Sequence, residues 1–247
     1  SYTDDLVIEP RAAFTYQLNP INRLSFAFGQ HSQTVPLPVL FLREDDGNGN
    51  FIPTNDDLGF IRSNHYVLGY DRSIAEDWRL KLEVYYQDLY DVPVEEEPSS
   101  YSVVNEGANF VFDERGGLVN EGTAQNVGVE LTLEKYFSKE YYMLLTTSVF
   151  ESTYEGSDGI ERSTAFNNQF VANLLAGKEW KIGKSKRNAL TFDTRIASSQ
   201  GNPFTPINLE ATRANGGREV LFEDRAFSEN YDNYFRWDVK FGFRLNS

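Results

Sequence analysis

The residues of this sequence that could do chemistry are few. Histidine occurs only at His31 and His65, and Ser32 follows His31 directly, which invites a nucleophile–base reading. A hydrolytic site needs a third group to orient the base, and none stands at a recognisable spacing from this pair. HExxH, Walker A and GxGxxG patterns are absent, so no enzyme activity is expected. One segment, Asp45-Asp46-Gly47-Asn48-Gly49-Asn50, has the look of a metal loop. Asp46, Asn48 and Asn50 fall at alternate positions and Asp57 at the twelfth, the order of oxygen ligands around calcium. Phe51 occupies the sixth position, where that motif has glycine, and the closing ligand is Asp in place of Glu. A Gly/Asn-rich tip making tight turns accounts for the same residues. Calcium is the one cofactor to consider; no other is implied.

The remaining polar clusters speak of surroundings more than of catalysis. The run Glu95-Glu96-Glu97 before Pro98 reads as a solvated loop, with capture of a cationic ligand as the sharper alternative. Phe41, Phe51, Phe60, Tyr101, Phe110, Phe112, Phe204 and Phe222 sit in the same kind of segment, available to stack on a ligand or to pack the loops. Lys184, Lys186 and Arg187 crowd one short turn. A net charge of −14 argues against nucleic acid, whose binders carry basic patches. With no cysteine, disulfides and thiolate metal sites are excluded.

The elements that must position these residues are strands. Nine segments qualify, at Pro10–Leu18, Arg23–Gln30, His65–Ala75, Arg79–Gln87, Asn126–Glu134, Tyr141–Ser152, Phe170–Ile182, Ala189–Ser198 and, last, Phe235 to Leu245. The clearest alternate with period two. Leu80, Leu82, Val84 and Tyr86 oppose Arg79, Lys81, Glu83, Tyr85 and Gln87. Phe235, Trp237, Val239, Phe241, Phe243 and Leu245 oppose Arg236, Asp238, Lys240, Gly242 and Arg244. In Tyr141–Ser152 the alternation is poor, because Met143, Leu145 and Val149 oppose Leu144 and Phe150, and no face is assigned there.

Connections between these strands alternate in length. Short turns at Asn19–Asn22, Glu76–Trp78, Ser138–Glu140 and Gly183–Asn188 interleave with long segments at Thr34–Asn64, Glu95–Gln125, Ser157–Asn167 and Pro203–Asn233. A soluble sandwich has no reason to lengthen every second connection. An outer-membrane barrel does, with short periplasmic turns and long outer loops. Trp78, Tyr136, Phe137, Tyr141, Tyr142 and Trp180 flank the short turns, where an interfacial girdle belongs. The sequence has no apolar run long enough for a membrane helix. Arg79–Val92, Tyr141–Thr153 and Phe170–Ile182 match the roughly 9–11 residues of a spanning strand.

The order and spacing of several segments resemble the barrel of TonB-dependent outer-membrane receptors, and of the Bacteroidetes-type group in particular. They are Glu9-Pro10-Arg11, His65-Tyr66-Val67-Leu68-Gly69-Tyr70-Asp71, Asn126-Val127-Gly128-Val129-Glu130-Leu131-Thr132-Leu133, Thr164-Ala165-Phe166-Asn167-Asn168 and Tyr234-Phe235-Arg236-Trp237-Asp238-Val239-Lys240. The resemblance covers nearly all of residues 1–247. It implies an all-β fold, an antiparallel transmembrane barrel of about 22 strands around a plug. The expectation is that this chain supplies nine of them, roughly strands 12 to 20, without the plug, the TonB box or the closing strands. By the same resemblance, the protein imports a scarce nutrient (a siderophore, cobalamin, a glycan or a peptide) from the surface of the bacterial outer membrane. Its partners would be membrane lipid, the TonB energy-coupling complex acting through the plug, and a surface lipoprotein. Glu83, Gln87, Glu130, Glu134, Asp193, Arg195, Arg236, Asp238 and Lys240 would then face the lumen. Two rival readings remain, a non-transporting surface barrel or adhesin, and a soluble β-sandwich binding module.

Overall fold

The computed structural model describes residues 6–108, 110–184 and 186–245. Nine long strands form one antiparallel sheet in sequence order. They are β1 (Arg11–Asn19), β2 (Asn22–Gln33), β3 (Ile61–Ala75), β4 (Trp78–Glu95), β5 (Leu118–Ser138), β6 (Tyr141–Glu155), β7 (Phe170–Ile182), β8 (Asn188–Ser199) and β9 (Tyr234–Arg244). In such a meander consecutive connections fall at opposite ends of the sheet. The short ones, at 20–21, 76–77, 139–140 and 183–187, therefore share one end. The long ones, at 34–60, 96–117, 156–169 and 200–233, share the other. At 139–140 both turn residues take positive φ (Lys139 49°, Glu140 63°), the handedness that matches the twist of a two-residue hairpin.

Pairing lines up the apolar positions into rows. Phe14, Phe26, Leu68, Val84, Val129 and Val149 are successive cross-strand partners. All six are exposed, from 42% at Val84 to 64% at Phe14. A β-sandwich would bury this row against a second sheet. Here the apolar face is bare, and hydrocarbon is the solvent that matches it. The sheet is the wall of an antiparallel transmembrane β-barrel, open among the described residues because β1 and β9 each pair on one side only.

Several strands run further than the alternation predicts. β5 spans Leu118–Ser138 in place of Asn126–Glu134, and β3 starts at Ile61 in place of His65. Their ends on the long-loop side extend into the loops and obey the packing there. Register shifts between Leu89 and Val94 and a left-handed Asp91 (φ 57°) interrupt the regular alternation where Val92 and Val94 become fully buried.

The register also settles β6. Met143, Leu145, Thr147 and Val149 share the apolar face, while Leu144 and Phe150 point to the polar side. Phe150 lies beside Gly128, where a Cβ would come within 2.8 Å of the Phe150 Cβ and 2.6 Å of the Tyr85 ring. Gly177 is covered by Tyr142 in the same way, at 2.3 Å. Inward aromatics thus fill the notches that glycines leave in the neighbouring strand.

At the short-turn end, Lys135 occupies a position of apolar parity. Its side chain is only 1% exposed. It bends to the turns, donating to Tyr136 O (2.9 Å) and Ser138 Oγ (2.6 Å) and pairing with Asp77 at 2.6 Å. Its Nζ lies 4.3 Å from the centre of the Tyr141 ring. The apolar stem stays at the hydrocarbon edge while the charge reaches the polar boundary.

Candidate functional site

Two surfaces can meet a ligand: the polar face of the wall and the layer built by the long loops. Period-two alternation places all nine expected inward residues on the polar face. Glu83 stands opposite Glu130 and pairs with Lys81 at 2.5 Å. Gln87 lies beside His65 and accepts a hydrogen bond from Asn126 Nδ2 at 3.0 Å. Glu134 faces Arg79. Asp193 sits opposite Lys240 and accepts from the Tyr142 hydroxyl at 2.8 Å. Arg195 sits opposite Asp238, whose carboxylate takes two donors from Arg236 at 2.8–3.0 Å. Asp71 accepts from both Arg23 (3.1 Å) and Arg79. Among the described residues the face carries charges of both signs, with like charges opposed at Glu83 and Glu130.

His31 and Ser32 do not form a dyad. Consecutive strand residues point to opposite faces, and the Ser32 hydroxyl donates to Glu9 at 2.6 Å. That bond and the Ser32 N–H hold the Glu9 carboxyl below its usual range. On the polar face His31 meets His65 with ring centres 6.3 Å apart, and His65 meets Tyr85 edge-on at 6.4 Å. A depression of about 400 Å³ adjoins the two histidines. Its lining mixes inward Ala13 and His31 with outward Ala12 and Phe28, so it wraps the unpaired edge of β1 and is not an enclosed pocket.

The metal-like segment forms the tip of a hairpin between strands Arg43–Asp45 and Phe51–Pro53. Asp45 Oδ1 accepts from the Gly47 and Gly49 N–H groups, and Asp46 Oδ1 from those of Asn48 and Asn50. Asn50 Nδ2 also donates to Asp46 Oδ2 at 3.0 Å. These bonds lower the Asp46 pKa. The segment's carboxylate oxygens serve the turn itself, and Asp57 lies beyond the hairpin. Among the described residues no group of three or more His, Cys, Asp or Glu is arranged to hold a metal ion.

The loop layer has a core of its own. Val35, Val39 and Leu40, with the short helix Leu37–Leu40, meet Leu58, Val103 and Leu118, with Ile61 and Tyr101 packed alongside. Asn55, wholly buried, locks this core. Its Nδ2 donates to Val39 O (2.9 Å) and Arg115 O (2.8 Å), and its Oδ1 accepts from Leu118 N at 3.1 Å. A second knot surrounds the outer end of β6. Ser152 Oγ meets Thr164 Oγ1 at 2.8 Å, Asn167 Oδ1 accepts from Ser152 N at 3.1 Å, and the Tyr154 hydroxyl donates to Ser100 O at 2.8 Å. Phe227, from the 200–233 loop, stands edge-on to Tyr154 at 6.1 Å. All four long loops are thereby tied to one another or to the wall.

Electrostatics differ between the two surfaces. Across the long connections acidic residues outnumber basic ones three to one. Two of the acids respond to their settings in opposite directions. Arg162, paired at 2.7 Å, holds Asp158 below its usual range. Burial raises Glu106, which accepts from the Asp113 N–H at 3.1 Å. Burial and the facing Glu106 carboxyl push the Tyr101 hydroxyl up. Of the loop aromatics, Phe51 and Phe110 are 66% and 98% exposed. Tyr101 packs on the loop core under Arg115, and Phe204 stacks on Tyr231 at 4.5 Å. Ring position alone therefore separates two candidate ligand contacts from two packing residues.

No family model matches the sequence, and no curated protein matches it. Solved structures do. The ferric yersiniabactin uptake receptor FyuA from Yersinia pestis aligns with 94% of this chain at a TM-score of 0.58 and 14% identity. The ferric-catecholate import receptor Fiu from E. coli K12 aligns with 96% at 0.58 and 14% identity. The FrpB iron transporter from Neisseria meningitidis aligns with 94% at 0.55 and 16% identity. The likeness is one of fold. This chain spans 29%, 28% and 31% of those three chains respectively.

Proposed function

We propose that this chain is part of the barrel of a TonB-dependent outer-membrane receptor that captures a scarce nutrient at the cell surface and imports it. One observation carries the reading: a nine-strand meander with its apolar face bare and every long connection at one end. A protein built to live in water has no use for that combination, and a barrel wall requires it. The loop layer would be the extracellular surface and the short turns would be periplasmic. Import would draw on the TonB complex through a plug enclosed by the polar face, whose mixed charges suit many moderate contacts with a plug or a passing ligand. A surface lipoprotein partner would meet the loop layer.

Among the cargo classes, an iron chelate is favoured, because the three similar structures are named for iron uptake. Cobalamin, glycans and peptides are the other classes. The test is uptake of radiolabelled ferric chelates, and then of labelled cobalamin, glycans and peptides, by nutrient-starved cells with and without the gene. Loss of uptake for one chelate, restored by the gene, is the expected result. Unchanged uptake across all four cargo classes would overturn the transport reading and favour a non-transporting surface barrel.

A further inference from the structure

The short turns differ in charge. Turn 76–77 is acidic and turn 139–140 is mixed, whereas turn 183–187 carries Lys184, Lys186 and Arg187 and no acid. Neighbouring cations are already matched: Lys181 pairs with Glu140 at 3.5 Å and Arg244 with Glu179 at 2.6 Å. Among the described residues no carboxylate pairs with Lys178, Lys184 or Lys186. Lys178 shares the apolar face with Trp180, and its Nζ stands 5.3 Å from the centre of the Tyr141 ring. Directly on the membrane side of the turn, Trp180, Leu190 and Phe243 are successive cross-strand partners, exposed by 44%, 42% and 59%. Lysines without a carboxylate partner thus lie in the turn that joins β7 to β8, a few residues beyond Trp180 and its bare apolar row.

We propose that Lys184, Lys186 and the Trp180–Leu190–Phe243 row bind an anionic phospholipid of the inner leaflet, its phosphate at the two lysines and its acyl chains crossing the row onto the bare apolar face. Charge and shape complement each other here. Lysines near a membrane surface each favour an anionic headgroup by about 1 kcal/mol, and tryptophan prefers the headgroup boundary. The inference rests on the barrel orientation given above, which puts this turn at the inner leaflet.

The test is native mass spectrometry of the full-length receptor in detergent with equal amounts of phosphatidylglycerol and phosphatidylcholine. The expected result is preferential retention of phosphatidylglycerol, with the preference falling about thirtyfold in the Lys184→Gln, Lys186→Gln double variant. Lys139→Gln, in the mixed-charge turn, is expected to leave it unchanged. Heat-modifiable migration on gels reports whether each variant is folded, and Lys178→Gln with Trp180→Leu gives a second variant set on the same site. Equal retention of both lipids, an unaltered preference in both folded variant sets, or complete displacement by inorganic phosphate would overturn the proposal. Protease cleavage of the 200–233 loop on intact cells tests the orientation separately, so failure of lipid binding and failure of the barrel reading are distinguishable.

Discussion

Val39 and Val129 have the same side chain and opposite surroundings. In the loop layer Val39 is 2% exposed within a core of aliphatic residues; on the wall Val129 is 43% exposed, in a row of others like it. The loop layer is built as soluble proteins are, apolar inside and acidic outside. The wall is built the other way round, with most of its charges on one face and its apolar residues bare on the other. One chain is therefore made for two solvents, and the boundary between them crosses individual strands. β4 passes from exposed Leu82, Val84 and Tyr86 to fully buried Val92 and Val94 within a single element.

Substitutions that respect one solvent and violate the other break this contrast most sharply. Val129→Arg places a charge in the middle of the apolar row, a change that costs about 2–4 kcal/mol in a barrel wall. The expected outcome is loss of folded, heat-modifiable protein from the membrane fraction. A smaller effect, confined to the loops, is expected of Asn55→Ala. It leaves Arg115 O and the Leu118 N–H without the Asn55 side chain and takes from Val39 O one of its two donors, the other being the Leu42 N–H, at about 1–3 kcal/mol. Limited proteolysis should then cut segments 34–60 and 96–117 faster while the wall keeps its heat-modifiability. Asp71→Asn weakens two partly exposed contacts on the polar face. It should lower stability by no more than about 1 kcal/mol, read as a slight drop in the temperature of the gel shift.

The smallest effects sharpen the contrast inside the loop layer. Asp158 is held below its ordinary 3.8 by Arg162, so its contribution is present above that value and lost as pH falls through the lowered one. Glu106 is raised above its ordinary 4.5 by burial, so the opposite holds: its contribution is whole below 4.5 and fades as pH rises through the raised value. Hydrogen exchange should therefore loosen segment 156–163 in acid. Segment 101–106 should tighten as pH is lowered from neutral towards 4.5. Glu106→Gln keeps an acceptor for the Asp113 N–H and is expected to remove the second response only.

Legibility in the sequence followed the same division. The strands of the wall could be read because their environment repeats every two residues. Arg79–Gln87 and the Phe235–Leu245 run announce their faces without any knowledge of partners. β6 was unreadable because Leu144 and Phe150 answer to features on other strands, Gly128 among them. The loop core was invisible for a related reason. Val35, Leu58, Val103 and Leu118 have no common period and meet only through folding of segments far apart in the chain. Asn55 looked like one more polar loop residue; its three buried bonds depend on the positions of Val39, Arg115 and Leu118. Lys135 broke the apolar pattern of its strand, and that break was the signal for the boundary-seeking cation. The acidic and aromatic loop residues were visible as types, but only burial divides Tyr101 and Phe204, which pack, from Phe51 and Phe110, which do not.

The bare face is expected to meet lipid, with the loops outside and the short turns within. This chain contributes no cysteine, so single introduced thiols can report on it. Asn48→Cys, Lys139→Cys and Val129→Cys would each be made in the full-length protein and exposed to a membrane-impermeant maleimide on intact cells. Labelling is expected at position 48, at 139 only after the outer membrane is opened, and not at 129 from water in either case. Ready labelling of Val129→Cys from water, or of Lys139→Cys on intact cells, would contradict this placement.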